Sequence, residues 1–487
     1  MNLNPNCENR SERTRQWADK RATYQGKWRT WNQYLHQLDE DYLRFLLPKG
    51  LKVLALGCGT GRKLASVEPS VGVGVDISAK KLSVAARNHP QLVLIEGDIE
   101  DPLVLERAAQ EGPFDAILLY DTLGFLEDIQ AFLNNLRAIC TPNTRIVSVY
   151  YAYFWEPILN FAEKLRVRMP TIDVTWLRMA DVEHFMEISG LETVKKEWRI
   201  LMPVRVFGLG TLVNRYIATL PFVRKFSLRH YLVARVVPPV NLKPQSVSIV
   251  IPCRNERGNI QSAVNRIPHL GLTTEIIFVE GHSTDGTFDE IQRVMKQQSK
   301  VDIKAIRQPG QGKGDAVRAG FSLATGSILM ILDADLTVRP EDLIKFYKEI
   351  ESGRGEFING TRLIYPMENQ AMRLLNYIAN RMFALIFSFI LNQPFTDTLC
   401  GTKVLSKKNY EKISENRKYF GEFDPFGDFD LIFGAVKLNL KVVEVPIRYN
   451  SRVYGTSVLS ERPFSRFRYG VVLIRMVIFA YRKLKIV

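Results

Sequence analysis

Two carboxylates flank one small residue in Asp333-Ala334-Asp335, directly after the apolar run Ser327 to Leu332. Polar side chains at the end of a parallel strand sit where open α/β sheets bind ligands. This spacing lets one acid ligate a hard cation, Mg²⁺ or Mn²⁺, while the other holds a ribose or a second metal position. Such cations take oxygen ligands and substrate phosphates. Upstream, Gly312-Lys313-Gly314-Asp315 opens a helical pattern, and a lysine between glycines near a helix start suits phosphate oxygens. Pro252-Cys253-Arg254-Asn255-Glu256 ends the run Ser246 to Ile251 in the same manner. Glu280 leaves a further run into Gly281-His282-Ser283-Thr284-Asp285-Gly286-Thr287, a turn that caps the next helix and leaves Glu280 to hold a base or ribose hydroxyl.

The acceptor decides what else is needed. A phosphate acceptor is already ionised and needs arginines to position it, whereas a sugar hydroxyl needs a base, which Asp428 or Asp430 could supply. A second constellation lies in the N-terminal half. Gly57-Cys58-Gly59-Thr60-Gly61 follows the run Lys52 to Leu56, and Asp76 ends the next run. Glycines let the backbone approach a ligand, and an acid at that position can bind two ribose hydroxyls. The loop alone leaves nicotinamide cofactors open. His184, a lone histidine at helical spacing, is read as structural.

The elements that must position these groups are legible as alternating short apolar runs and helical patterns. The first series follows a charged, aromatic helical segment from about Arg15 to Leu47 and comprises Val53 to Leu56, Val71 to Val75, Leu92 to Ile95, Ala116 to Tyr120 and Arg145 to Tyr150. The second comprises Val247 to Ile251, Glu275 to Val279, Ile303 to Ile306 and Ile328 to Leu332. Alternation of this kind predicts an α/β protein with two doubly wound sheets. The prolines 238, 239 and 244 place a boundary near 240, giving domains 1–240 and 241–487. Trp176 to Asn214 reads as the end of the first domain plus a basic, apolar connecting segment.

Composition narrows the partners. A net charge of +15 favours anionic ligands: phosphorylated small molecules, acidic lipid or nucleic acid. Nucleic acid is not expected, because no recognition motif accompanies the charge. Five cysteines without a C-x-x-C pair imply a reducing compartment and no structural zinc. Met1 to Arg15 is polar and lacks an apolar stretch, so no signal peptide is expected. The runs Met382 to Leu391 and Val471 to Tyr481 fall short of the roughly 20 residues that span a bilayer. Arginines alternate with apolar side chains over 372–391, and 462–485 is similarly basic, so the expectation is a cytoplasmic protein with a membrane surface as a partner at its cytosolic face. Oligomeric state is left open.

Taken in order, P-C-R-N-E, E-G-H-S-T-D-G-T, G-K-G-D and L-D-A-D-L resemble the motifs of family-two glycosyltransferases of the GT-A fold. Gly360-Thr361-Arg362, Asp397 to Lys403, Glu444-Val445-Pro446-Ile447 and Arg452 to Ser457 are similar to the later motifs of dolichol-phosphate and polyprenyl-phosphate mannose synthases. That resemblance implies an inverting transfer from a nucleotide-sugar donor to a polyprenyl phosphate or glycan acceptor. It makes Asp335 the metal ligand, Asp333 and Glu280 nucleotide contacts, and Arg362, Arg448 and Arg452 phosphate-binding arginines. It adds Asp397 to the acceptor site and Asp430 to the metal or acceptor site. Glu280, Gly401-Thr402-Lys403 and Val458 depart from the family pattern, so nucleotide, sugar and acceptor stay open.

In the N-terminal half, the glycine loop, Asp76, Glu96-Gly97-Asp98-Ile99 and Phe114 to Asp121 together resemble class I S-adenosylmethionine-dependent methyltransferases. The resemblance places Gly57, Gly59 and Gly61 at the methionine and ribose, Asp76 at the ribose, Asp98 and Ile99 at the adenine, and Tyr120 and Asp121 toward the reacting methyl. Ala55 stands where that family carries an acid. A cofactor-free docking domain is the alternative.

Overall fold

The computed structural model describes residues 10–165, 168, 171–172, 174–238, 243–298, 301–365, 374–420, 427, 429–452, 454 and 465–486. The chain divides into two compact units: unit 1 is Met1–Val237 with Ile486–Val487, and unit 2 is Pro238–Lys485.

Unit 1 opens with two helices, α1 (Arg10–Trp31) and α2 (Gln33–Leu46), where the sequence predicts one segment. Seven described strands follow: β1 (Lys52–Leu56), β2 (Val71–Asp76), β3 (Val93–Glu96), β4 (Ala116–Tyr120), β5 (Arg145–Tyr151), β6 (Leu191–Arg199) and β7 (Arg229–Val236). Their order is β3-β2-β1-β4-β5-β7-β6. The central strands β1, β2 and β4 are buried almost throughout, as expected of parallel strands covered on both faces. The chain runs outward from β1 to β3 and then restarts at β4 on the other side of β1. This reversal opens a crevice at the carboxyl ends of β1 and β4, where the glycine loop and Tyr120-Asp121 lie. The stretch Trp176 to Asn214 is not merely a domain end and connector. It contains the helix Met179–Ile188 and the strand β6, which pairs antiparallel with β7.

Unit 2 repeats the plan with β8 (Val247–Cys253), β9 (Thr274–Glu280), β10 (Asp302–Arg307), β11 (Ile328–Ile331), β12 (Phe357–Thr361), β13 (Lys403–Ser406) and β14 (Val442–Pro446). The order is β10-β9-β8-β11-β13-β12-β14, with β13 antiparallel to both neighbours. Here the reversal falls between β8 and β11. It brings Glu256 and Asp333-Asp335 to one end of the sheet. No described helix is long and apolar enough to cross a membrane.

Candidate active sites

In unit 2, ion pairs tie the predicted residues together across distant segments. Lys313, the first residue of the helix Lys313–Leu323, places its ammonium 2.6 Å from Asp333 Oδ1. Arg452 bridges Asp335 at 2.6 Å and Glu256 at 3.2 Å, so a residue beyond β14 joins the ends of β8 and β11. Asp335 Oδ1 also accepts from the Thr337 amide and hydroxyl, which fixes its rotamer. Burial alone would raise the Asp333 carboxyl, but Lys313, with Lys403 and Arg362 behind it, holds it below the usual carboxylate range. Asp333 is therefore an anion ready for a cation or a donor hydroxyl.

Gly401 lies against this pair. A side chain there would overlap both the Asp333 carboxylate and the Lys313 ammonium, so only glycine lets the two groups pack against this turn. Gly427 likewise packs against the backbone of Lys313-Gly314, bringing the entry to the helix Phe429–Lys437 beside the lysine loop.

The neighbouring turn is braced by its own polar groups. Asn255, at φ 56°, accepts from the Thr284 amide through Oδ1, and its own amide donates to Ser283 Oγ. Asp285 accepts from the Arg257 and Thr287 amides. Glu280 is buried and accepts from the Ser283 amide, so its carboxylate holds the turn. Pro252 is half-buried in the last turn of β8.

The other expected residues have surroundings of their own. Asp397 does not face an acceptor: it is fully buried, and both its oxygens receive the Arg362 guanidinium at 2.7 and 2.9 Å. Its role is to orient Arg362, and the reason is geometric: a saturated, buried carboxylate has no lone pair left for an incoming ligand. Asp430 pairs with Arg417 at 3.3 Å. Arg448 is exposed. Asp428 lies outside the described residues. Lys403, a departure from the family pattern, is buried against the Cys400 carbonyl and adds positive potential at Asp333.

Among the described residues no group of three or more His, Cys, Asp or Glu side chains could hold a metal by itself. A hard cation fits here only as a shared ion, with Asp335 and Asp333 supplying two oxygens and a diphosphate the rest. The all-oxygen donor set of Asp333 and Asp335 suits that arrangement.

Glu256 carries a pH signature. Its carboxyl is pushed up to about 7, mainly by burial and only partly offset by Arg452. The folded chain thus keeps a proton that an unfolded glutamate loses near pH ~4.3. The stability this supplies is complete below that value and is lost as pH rises through about 7. The melting temperature of Glu256→Gln relative to wild type should climb by a few degrees between pH 5 and 8. A difference that stays flat with pH would contradict the assignment.

In unit 1 a cavity of about 460 Å³ is lined by Gly57, Gly59, Asp76, Asp98, Ile99, Tyr120 and Asp121, uniting the predicted cofactor contacts. Gly61 does not line it and instead begins the helix Arg62–Ser66. The three glycines all have positive φ, between 58° and 75°, which bends the loop back so that the Gly59 amide donates to Asp76 at 2.7 Å. Apolar and polar linings of this size fit an S-adenosylmethionine-like nucleoside. Helix α1 closes one side: Ser11 donates to Asp98, Ser78 to Asp19, and Trp17 lies against Phe125 at 5.3 Å.

Tyr120 and Asp121 of the lining are tied to a buried network that no motif announced. Arg229 of β7 is inaccessible and pairs with Asp39 at 3.1 Å and Asp121 at 2.6 Å, while the Tyr120 and Tyr231 hydroxyls donate to Asp39. His36 also lines the cavity, and burial, helped by Lys63, lowers it to about 4, so it is a neutral imidazole at neutral pH. The exposed His184 does not reach the cavity.

Each half of the chain is similar to known proteins. Residues 248–414 match the family model described as glycosyl transferase family 2, and residues 54–146 match that described as a methyltransferase domain. Each unit thus carries a segment that matches one of these two models. Among its relatives are a dolichol-phosphate mannosyltransferase of Pyrococcus furiosus, 29% identical over 44% of this chain and 59% of that protein, and a polyprenol monophosphomannose synthase of Mycolicibacterium smegmatis, 28% identical over 46% and 84%. The chain thus spans little more than half of the first relative. A magnesium protoporphyrin IX methyltransferase from Synechocystis PCC 6803, solved with bound SAH, aligns with 47% of this chain and all of its own at 16% identity and a TM-score of 0.34.

Proposed function

We propose that unit 2 is an inverting glycosyltransferase that uses Mg²⁺ or Mn²⁺ to move a sugar from a nucleotide-sugar to a polyprenyl phosphate or related acceptor. The observation that carries this reading is the convergence of Lys313 on Asp333 and of Arg452 on Asp335 and Glu256 at the sheet's reversal point. When bound, the cation offsets charge on the leaving diphosphate. Asp335 and Asp333 would hold it, and Lys313 is the protein's own cation for the same phosphates. Arg452, with the exposed Arg448, supplies charge for an anionic acceptor, and Arg362 keeps the field positive while locked on Asp397. A sugar-hydroxyl acceptor would instead call on Asp430 as base.

The unit 2 surface supports a lipid-linked acceptor. Ile378, Met382 and Leu385 share one exposed face of the helix Leu374–Leu391, and Ile474 and Ile478 are exposed on Ser465–Ala480. With Arg381 and Arg475 nearby in sequence, this face suits the headgroup region at the cytosolic side of a membrane. The test is a panel of nucleotide-sugars with Mg²⁺ or Mn²⁺, reading released nucleoside diphosphate. Release that rises with polyprenyl phosphate supports the proposal, and release stimulated only by neutral glycans favours the hydroxyl acceptor.

Unit 1 is, in this reading, an S-adenosylmethionine-dependent methyltransferase, with Asp76 holding the ribose and Asp98 and Ile99 the adenine. Asp76→Ala should weaken S-adenosylmethionine about tenfold or more by calorimetry, the worth of a charged hydrogen bond. Absence of heat with wild type at millimolar ligand would favour the docking role instead.

A further inference from the structure

Residues 201–228, between β6 and β7, expose an apolar surface that nothing in either transfer reaction uses. Ten large apolar side chains between Val204 and Phe226 are exposed, among them Val206, Leu212, Ile217 and Phe226. Phe222 is 82% exposed and Phe207 wholly so. Monomer surfaces seldom carry apolar patches beyond a few hundred Å² without a binding role.

The loop is built to present them. Asn214 accepts from the Leu201 and Met202 amides at 2.9 Å each and donates to the Met202 carbonyl at 2.7 Å, so polar groups are satisfied inside the loop. Trp155 donates to the Phe226 carbonyl, and Phe154 packs edge-on to Phe226 at 5.5 Å, extending the patch onto the segment after β5. Phe207 has φ 45°, a left-handed backbone that is unfavourable for an aromatic residue. The fold thus accepts backbone strain to hold a ring in water, where it makes no stabilising contact.

Charge identifies the occupant. Residues 201–228 contain Arg205, Arg215, Arg224 and Lys225 and no Asp or Glu. Arg205, Arg215 and Lys225 are exposed beside the apolar side chains. A second copy would bring like charge against it. Aromatic and aliphatic side chains in a loop whose own charges are all cationic match the interface of an anionic bilayer, where rings enter the headgroup boundary and basic groups meet lipid phosphates. We propose that this loop docks unit 1 on an anionic lipid surface, independently of the helices of unit 2.

Hydrogen exchange of the full chain, with and without vesicles of phosphatidylcholine and phosphatidylglycerol, tests this locally. Amides of 204–226 should gain protection on anionic vesicles and much less on pure phosphatidylcholine. Phe207→Asp with Phe222→Asp should weaken vesicle partitioning about tenfold or more, as loss of two inserted rings requires. Arg205→Gln with Lys225→Gln should erase the preference for anionic lipid. No vesicle-dependent protection at 204–226 overturns the proposal. So does protection that is present without lipid, whether constant, as from cover by unit 2, or rising with protein concentration, as from a second copy.

Discussion

Asp335→Asn should lower sugar transfer by about 10²–10³-fold, the usual loss when one preorganised electrostatic partner of a transition state is removed. The substitution keeps size and shape, and the Thr337 amide and hydroxyl can still bond the remaining carbonyl oxygen. What disappears is the negative charge at the reversal of the sheet. Arg452 then keeps only Glu256 of its two carboxylate partners named here, so acceptor binding should change less than turnover. Asp333→Asn should act similarly while freeing Lys313 from its 2.6 Å pair. A variant retaining wild-type turnover would remove Asp335 from the reaction.

Arg229→Leu should destabilise unit 1 by about 3–5 kcal/mol, because it leaves a buried, uncompensated carboxylate. Asp39 and Arg229 are both inaccessible, and Asp39 is held below the usual carboxylate range by Arg229 and Lys63 against strong desolvation. Amides of β1 and β4 should lose hydrogen-exchange protection, while those of β8 and β11 keep theirs. Arg229→Leu combined with Asp39→Leu should cost less than the sum of the single changes, since the inaccessible Asp39 charge goes with its partner and only the part-exposed Asp121 is left without Arg229. Equal protection in wild type and Arg229→Leu would show the pair to be energetically idle.

What the residues disclosed in advance was the ligand end of each sheet. Runs such as Val247 to Ile251 end in polar groups, and strand ends at a reversal are where such groups gather. The strands away from the reversal were not legible. β6 carries Glu192, Lys195, Lys196 and Glu197, a pattern that suits a sheet edge but not a core run. β7 hides Arg229 and Arg235 inside an apolar strand, and the carboxylates of Asp39, Asp121 and Glu192 make that tolerable. Those partners are distant in sequence, and the pairing has no local signal. The same holds for Asp397, whose spacing from Arg362 conceals that the two form a buried two-point pair. His36 sits on α2, ahead of every motif, and becomes part of a cavity wall only when that helix packs.

The central claim is that Asp333 and Asp335 share a divalent cation with a nucleoside diphosphate. Calorimetry of GDP and UDP binding with and without Mn²⁺ addresses it directly. At least one nucleotide should bind wild type much more tightly when Mn²⁺ is present, and that gain should vanish in Asp333→Asn with Asp335→Asn. Binding that ignores Mn²⁺, or a gain that survives the double substitution, would contradict the account.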